Sequence, residues 1–165
     1  MPDTAVRAAR SDDVAALQAL LETVDLFPPE MLPDMIAPAL AGADEEVWLV
    51  AEGTVSLTGL CFARAEEMTD GTWNMLALGV GGSAQGQGVG RALVAAMEAE
   101  LAERGARLLI VDTSGTAAFD PARRFYAQAG YTEAARIRDF WAEGDDKVTF
   151  LKPLGAGVPG QAHRP

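Results

Sequence analysis

Cysteine and histidine are nearly absent from this chain of 165 residues, which holds one of each, Cys61 and His163. A lone cysteine closes no internal disulfide. A Cys/His zinc site cannot be assembled from these two residues. A Ser-His-Asp or Cys-His arrangement would depend on His163, which stands in a Gly/Pro-rich tail. Basic residues are also few, 13 Lys and Arg against 24 Asp and Glu, for a net charge of -11. Binding to duplex nucleic acid or to an anionic membrane needs a cationic surface, so neither is an expected partner. The sign of the field suits a cationic amine, although an acidic surface also serves solubility alone. No apolar run approaches the roughly 20 residues of a membrane helix. Residues 1–10 lack the apolar segment of a secretory signal. The expected location is therefore the cytoplasm.

What is present fits one globular domain. Hydrophobic residues make up 49% and charged residues 22%, an ordinary composition for a core of this size. Residues 1–154 read as a single domain and residues 155–165 as a disordered tail. A first strand is expected over residues 5–10. Ser11 then reads as the cap of a helix that buries Val14, Leu17, Leu21 and Val24. A second helical stretch runs from Pro28-Pro29 through Met31, Met35 and Ile36 to Gly42, broken or bent at Pro33 and Pro38. Strands follow over residues 47–52, 55–65 and 73–80. In the second of these, Val55, Leu57, Gly59, Cys61 and Ala63 alternate on one face. The three form an antiparallel meander.

After residue 79 the pattern changes. A Gly-rich loop leads into a helix over residues 88–104 with Val89, Leu93, Ala96, Met97 and Leu101 in a stripe, closed by Gly105. The apolar run at residues 108–111 reads as a strand buried on both faces. Strand, Gly-rich loop, helix and strand make a βαβ crossover. Asp120 and Pro121 open a further helix that ends at Gly130. Residues 131–152 form a hairpin around Glu143-Gly144-Asp145-Asp146. The fold class is α/β, with a mixed, mostly antiparallel sheet of about seven strands, a central βαβ crossover and flanking helices.

The informative segment is Gln85-Gly86-Gln87-Gly88-Val89-Gly90-Arg91. Alternate glycines let the backbone approach a ligand and turn successive N–H groups toward it. The helix that follows adds unpaired N–H groups and the positive end of its dipole. Together they suit a pyrophosphate, and Arg91 adds a formal charge. No Gly-Lys-Ser/Thr ending is present, which excludes a nucleoside-triphosphate P-loop. Residues 79–84 spell G-x-G-x-x-A, but the helix starts several residues later. The acids about 20 residues on, Glu98 and Glu100, lie on that helix and not at the end of a second strand, so a dinucleotide site does not fit.

Gln85-x-x-Gly88-x-Gly90 after an apolar strand resembles the acyl-CoA pyrophosphate loop of the GNAT superfamily of N-acyltransferases. Residues 122–131, with Phe125-Tyr126 followed by Gly130-Tyr131, resemble that family's later helix. The likeness covers roughly residues 4–153 and is strongest over 73–131. It implies a GNAT-like fold and transfer of an acetyl group from acetyl-CoA to a primary amine of a small molecule or peptide, without a metal. A homodimer is the assembly it implies. The backbone of Leu78, Gly79 and Val80 would hold the pantetheine arm, and Gln85, Gly86, Gln87, Gly88, Val89, Gly90 and Arg91 the pyrophosphate. Arg123 or its neighbour Arg124 would meet the 3′-phosphate, or both belong to a solvated helix face. Tyr126 would protonate the leaving thiolate, or be a packing or CoA-contacting tyrosine. A phenol of pKa about 10 needs good placement to protonate a thiolate of pKa about 8.5. Phe27, Met31, Met35, Trp73, Phe140 and Trp141 would line the acceptor site or belong to the core.

Two departures from the family pattern matter. Several members carry a glutamate base where this chain has Asn74, which cannot take a proton but can orient a water or the amine. A base would then come from Glu66, Glu67 or Asp139, through water, or the amine would arrive neutral. A frequent asparagine at the start of the later helix is replaced by Phe119. A chain that kept the loop and lost the chemistry would be a catalytically weak or inactive acyl-CoA-binding regulatory domain. Cys61, mid-strand on an apolar face, reads as core, which favours direct transfer without an acyl-enzyme.

Overall fold

The computed structural model describes residues 4–155. The expected tail beyond that point, with His163, lies outside the described residues. Seven strands and four α-helices are present: β1 (Ala5–Ala8), α1 (Val14–Leu21), α2 (Leu32–Leu40), β2 (Glu46–Glu52), β3 (Leu57–Ala65), β4 (Thr72–Val80), α3 (Val89–Glu103), β5 (Leu108–Ser114), α4 (Asp120–Gln128), β6 (Thr132–Ala142) and β7 (Asp145–Pro153). This is the α/β class expected, and each pairing of defined register is antiparallel. Among the described residues no helix is long and apolar enough to cross a membrane. The chain divides into two compact units, one of residues 4–65 and 74–97, the other of residues 66–73 and 98–155.

In the first unit the strand order is β1-β2-β3-β4. β1 is short because the chain turns sharply after Ala8. Arg7 holds that turn: it donates to both carboxylate oxygens of Asp13, at 2.7 and 2.9 Å, and pairs with Glu52 of β2. Asp13 also accepts the Arg10 N–H at 2.7 Å. The entry to α1 thus differs from expectation. Ser11 opens a single 3-10 turn and does not cap through its side chain. The carboxylate three residues after Arg10 reaches back instead, which satisfies the free N–H and the Arg7 charge together. α2 also runs through Pro38. The ring removes one N–H near the last turn, and the helix ends two residues later.

β3 is not the one-faced strand that its alternation suggests. Leu60, Cys61, Phe62 and Ala63 are all buried, whereas Val55 lies in the preceding turn with its side chain in solvent. Both faces are covered. On one, Trp48, Val50, Leu60 and Phe62 pack with Leu17, Leu20 and Leu21 of α1 and Leu32 and Ile36 of α2. On the other, α3 comes so close to Gly59 that a Cβ there would stand 2.8 Å from Leu93 and 3.2 Å from Val89. A period-2 reading sees one face at a time and misses the second layer.

The second unit has the strand order β5-β7-β6. Tyr126 of α4 packs its ring against Phe125, Tyr131 and Phe150 at centroid distances of 5.3, 5.8 and 5.9 Å. β6 is exposed along its whole length. It carries a register shift between Ile137 and Ala142, where Asp139 adopts φ 56. The Asp139 N–H donates to Asp146, and this bond, with Arg136 beside it, holds the Asp146 carboxyl below its ordinary pKa.

Candidate functional site

The first unit places β4, the Gly-rich loop and the start of α3 in one continuous path. β4 carries an extra residue. The Glu66 N–H donates to the Thr72 carbonyl and the Gly81 N–H to the Thr58 carbonyl, each at 2.8 Å. From Thr58 to Glu66 the chain advances eight residues, and from Thr72 to Gly81 nine. β4 therefore bulges against β3, a device that re-aims backbone groups beside functional sites. Gly79 lies at this end, where a Cβ would stand 2.6 Å from Leu26.

Beyond Val80 the loop is braced by its own side chains. Gln85 donates through Nε2 to the Val80 carbonyl at 3.2 Å, and Gln87 to the Ser83 carbonyl at 3.1 Å. Gly86 and Gly88 take φ 75 and 83. Only glycine reaches that region without strain. A Cβ at either would meet no heavy atom within 4 Å, so backbone conformation, not crowding by the protein, demands these glycines. α3 begins at once, with the Ala92 N–H bonded to the Gly88 carbonyl at 3.0 Å. The main-chain N–H groups of residues 86–91 have no acceptor among the described residues. Val89 is buried and anchors the turn, while Gln85, Gly86, Gln87, Gly88 and Arg91 are exposed. This is an open bed of unpartnered amides at a helix start with one guanidinium beside it, which fits a diphosphate. A cleft of about 500 Å³ adjoins the earlier part of the loop, with Ala16, Ala19 and Thr23 on one wall and residues 81–84 on another.

One sequence signal for this bed was open to notice beyond the motif. Residues 71–97 contain no Asp or Glu, in a chain that has 24. A stretch cleared of carboxylates in so acidic a protein sets no local negative charge against the helix dipole and Arg91.

The remaining expected site residues fall in both units. In the first, Asn74 is buried on β4. Phe27 is half-buried and meets Trp48 edge-on at 6.4 Å. Met31 is 49% exposed and takes no part in the core cluster that receives Phe27 and Met35. In the second, Trp73 and Tyr126 are buried, and Phe140 and Trp141 are half exposed. Arg123 is held by its own unit through both Nη atoms. It bonds the carbonyls of Ser114 and Thr116 at 2.5 and 2.9 Å and pairs with Asp120. Ser114 in turn donates to Asp145 at 2.5 Å and accepts the Thr116 N–H at 3.0 Å. Arg123 thus ties the link between β5 and α4, whereas Arg124 is exposed. Cys61 is fully buried, and desolvation pushes its thiol pKa well up, so it stays protonated.

Sequence reasoning passed over Glu46, Trp48 and Arg64. Glu46 lies opposite Arg64 across β2 and β3, and Trp48 opposite Phe62. Cross-strand partners depend on register, and nothing local to either strand announces the pairing.

A family model described as an acetyltransferase (GNAT) domain matches residues 43–133. No curated protein matches the chain in sequence. Among solved structures, a protein of Desulfovibrio desulfuricans described as a GNAT-family acetyltransferase superposes with a TM-score of 0.84 at 25% identity, over 92% of this chain and 99% of its own. The ribosomal-protein-S18-alanine N-acetyltransferase of Escherichia coli gives 0.76 at 15% identity, over 97% and 99%. YncA of Salmonella typhimurium, solved with its cofactor acetyl-CoA, gives 0.74 at 18% identity, over 96% and 99%. These last two are likenesses of fold.

Proposed function

The chain belongs to the GNAT acetyltransferase family, and from that membership we propose that it transfers an acetyl group from acetyl-CoA directly to a primary amine. The observation that carries this reading is the bed of unpartnered amides over residues 86–91, opened by positive φ at Gly86 and Gly88. A diphosphate is the group that such a bed holds best. That YncA was solved with acetyl-CoA on the same fold supports it. Bound acetyl-CoA would supply the thioester that the amine attacks.

The residues then divide the work. Gly86 to Arg91 hold the diphosphate, and Gln85 and Gln87 keep the loop in shape through their bonds to Val80 and Ser83. The backbone from Leu78 to Val80 is the candidate for the pantetheine arm and for an N–H donor to the developing oxyanion. Tyr126 is the candidate acid for the leaving thiolate. Arg124, exposed on α4, is better suited to the 3′-phosphate than Arg123, whose Nη atoms already bond the chain. Asn74 orients the amine or a water and does not take its proton. The protonated Cys61 thiol, sealed in the core, supports direct transfer.

Purified protein titrated with acetyl-CoA in a calorimeter, then supplied with a panel of amines while free thiol is followed, tests this. Binding and thiol release with at least one amine are expected, and no affinity for acetyl-CoA would end the proposal. A second reading, an acyl-CoA-binding regulatory domain, is favoured by the buried amide of Asn74 and by Phe119, 45% exposed just before α4. Binding without turnover across a broad panel would select it. Tyr126→Phe is expected to lower kcat by about 100-fold, within the range of general-acid contributions, with little change in acetyl-CoA affinity. An unchanged kcat would remove Tyr126 from the acid role.

A further inference from the structure

Two buried polar atoms of the first unit, one an acceptor and one a donor, have no hydrogen-bond partner, and they stand on one strand. Glu46 and Trp48 of β2 are 9% and 3% exposed. Two residues apart, they share a face of the strand, with Cα atoms roughly 7 Å apart. Arg64 donates from Nε and Nη2 at 3.0 and 2.8 Å, both times to Oε1 of Glu46. Oε2 of Glu46 and the Nε1–H of Trp48 are sealed from solvent and have no hydrogen-bond partner. A carboxylate offers about four acceptor sites, and an indole N–H is a donor only. Buried polar groups are nearly always satisfied, so an orphaned pair of this kind points to a ligand.

Aromatic and cationic groups surround the pair. Phe62 stacks on Trp48 at 4.1 Å with an interplanar angle of 13°, and the Arg64 guanidinium lies 5.4 Å from the Phe62 centroid. Arg64 and Phe62 stand opposite Glu46 and Trp48 across the two strands. Phe27 meets Trp48 edge-on from the irregular segment between α1 and α2.

We propose that Glu46 Oε2 and Trp48 Nε1–H form the recognition pair for the acceptor. The acceptor class is then a primary amine that carries a neighbouring carbonyl or hydroxyl oxygen, such as an amino amide or amino alcohol. Its nitrogen donates to Glu46 and its oxygen accepts from Trp48. The assignment rests on the acetyl-transfer reading, since it names the amine which that reaction consumes. A simple alkylamine satisfies only half of the pair and binds less well.

The chain has three tryptophans, so ¹⁵N-labelled protein gives three indole N–H resonances, and the one lost in Trp48→Phe is that of Trp48. Glycinamide and ethanolamine are expected to shift it saturably, and propylamine is not. In Glu46→Gln, which still accepts from Arg64 and so keeps the strands paired, the affinity should fall at least tenfold. In the coupled assay both variants should raise the KM for glycinamide at least tenfold and leave acetyl-CoA affinity unchanged. A resonance that ignores all three amines, or responds equally to propylamine, or shifts alike in Glu46→Gln, overturns the proposal and leaves a resident water as the pair's partner. If the protein binds no acetyl-CoA, the reaction assignment falls, while the resonance still decides the pair. If it acetylates amines and the two variants match the wild type, the pair falls and the reaction stands.

Discussion

Gly86 and Gly88 differ from Gly59 and Gly79 in the physical reason for having no side chain. The first two sit at positive φ beside open space, the second two at ordinary φ against Leu93 and Leu26. Their substitutions should therefore separate. Gly88→Ala forces a left-handed residue at a cost of about 1–2 kcal/mol. Its methyl also enters the bed of amides, so acetyl-CoA affinity should fall by tenfold or more. Gly59→Ala should destabilise the fold through contact with α3 and leave affinity per folded molecule unchanged. Calorimetry with acetyl-CoA, beside thermal melts of both variants, checks this. An affinity unaffected by Gly88→Ala would remove the loop from cofactor binding. The motif made Gly86 and Gly88 legible in the sequence. It could not show that Gln85 and Gln87 turn back onto the loop, because a side chain's choice between ligand and backbone depends on where the chain folds.

At the scale of elements, two polar clamps set where helices begin. Asp13, held by Arg7 and by the Arg10 N–H, fixes the entry to α1. Arg7 keeps its carboxyl below the ordinary carboxylate pKa. A group whose pKa is lower folded than unfolded contributes stability above the unfolded value and loses it as the pH falls through the folded one. Asp13→Asn should therefore cost about 1–2 kcal/mol near neutrality. Its deficit in melting temperature relative to wild type should shrink progressively as the pH falls below roughly 4, where the unfolded chain's carboxyl takes up a proton that the folded one still resists. A deficit independent of pH would mean that shape and not charge holds the turn. Arg123 fixes the approach to α4 in the same manner, through the carbonyls of Ser114 and Thr116 and through Asp120. Affinities for CoA and for 3′-dephospho-CoA separate the two arginines. Arg124→Gln is expected to erase most of any preference for the phosphorylated form. Arg123→Gln should lower the melting temperature and keep the preference. The sequence located both helices to within a few residues, through Pro121, Gly130 and the apolar spacing of α1. It misjudged the cap of α1 because Asp13 answers to Arg7 on a neighbouring strand.

For the whole molecule, the balance of charge is the property that bears on function. A net charge of -11 sets a negative field over the surface, yet residues 71–97 contribute no carboxylate to it. A cationic acceptor approaches with the field and an anionic cofactor against it. Raising ionic strength from about 0.01 to 0.3 M screens charges beyond several ångströms. kcat/KM for a diamine should then fall severalfold, while acetyl-CoA affinity should hold or rise. Rates for the diamine that ignore salt would mean that the acidity serves solubility alone.

The sequence by itself determined the α/β class, the order of strands and helices, the Gly-rich loop before α3 and the scarcity of reactive cysteine and histidine. These follow from local rules: periodicity, turn chemistry and the conformational freedom of glycine. Only the tertiary structure decided that β3 is covered on both faces, that β4 bulges, that Arg123 is a clamp, and that Oε2 of Glu46 and the Nε1–H of Trp48 face inward without a hydrogen-bond partner. Each of those depends on which distant residues a strand register or a helix contact brings together, and such contacts are set by the packing of the unit and not by any neighbour along the chain.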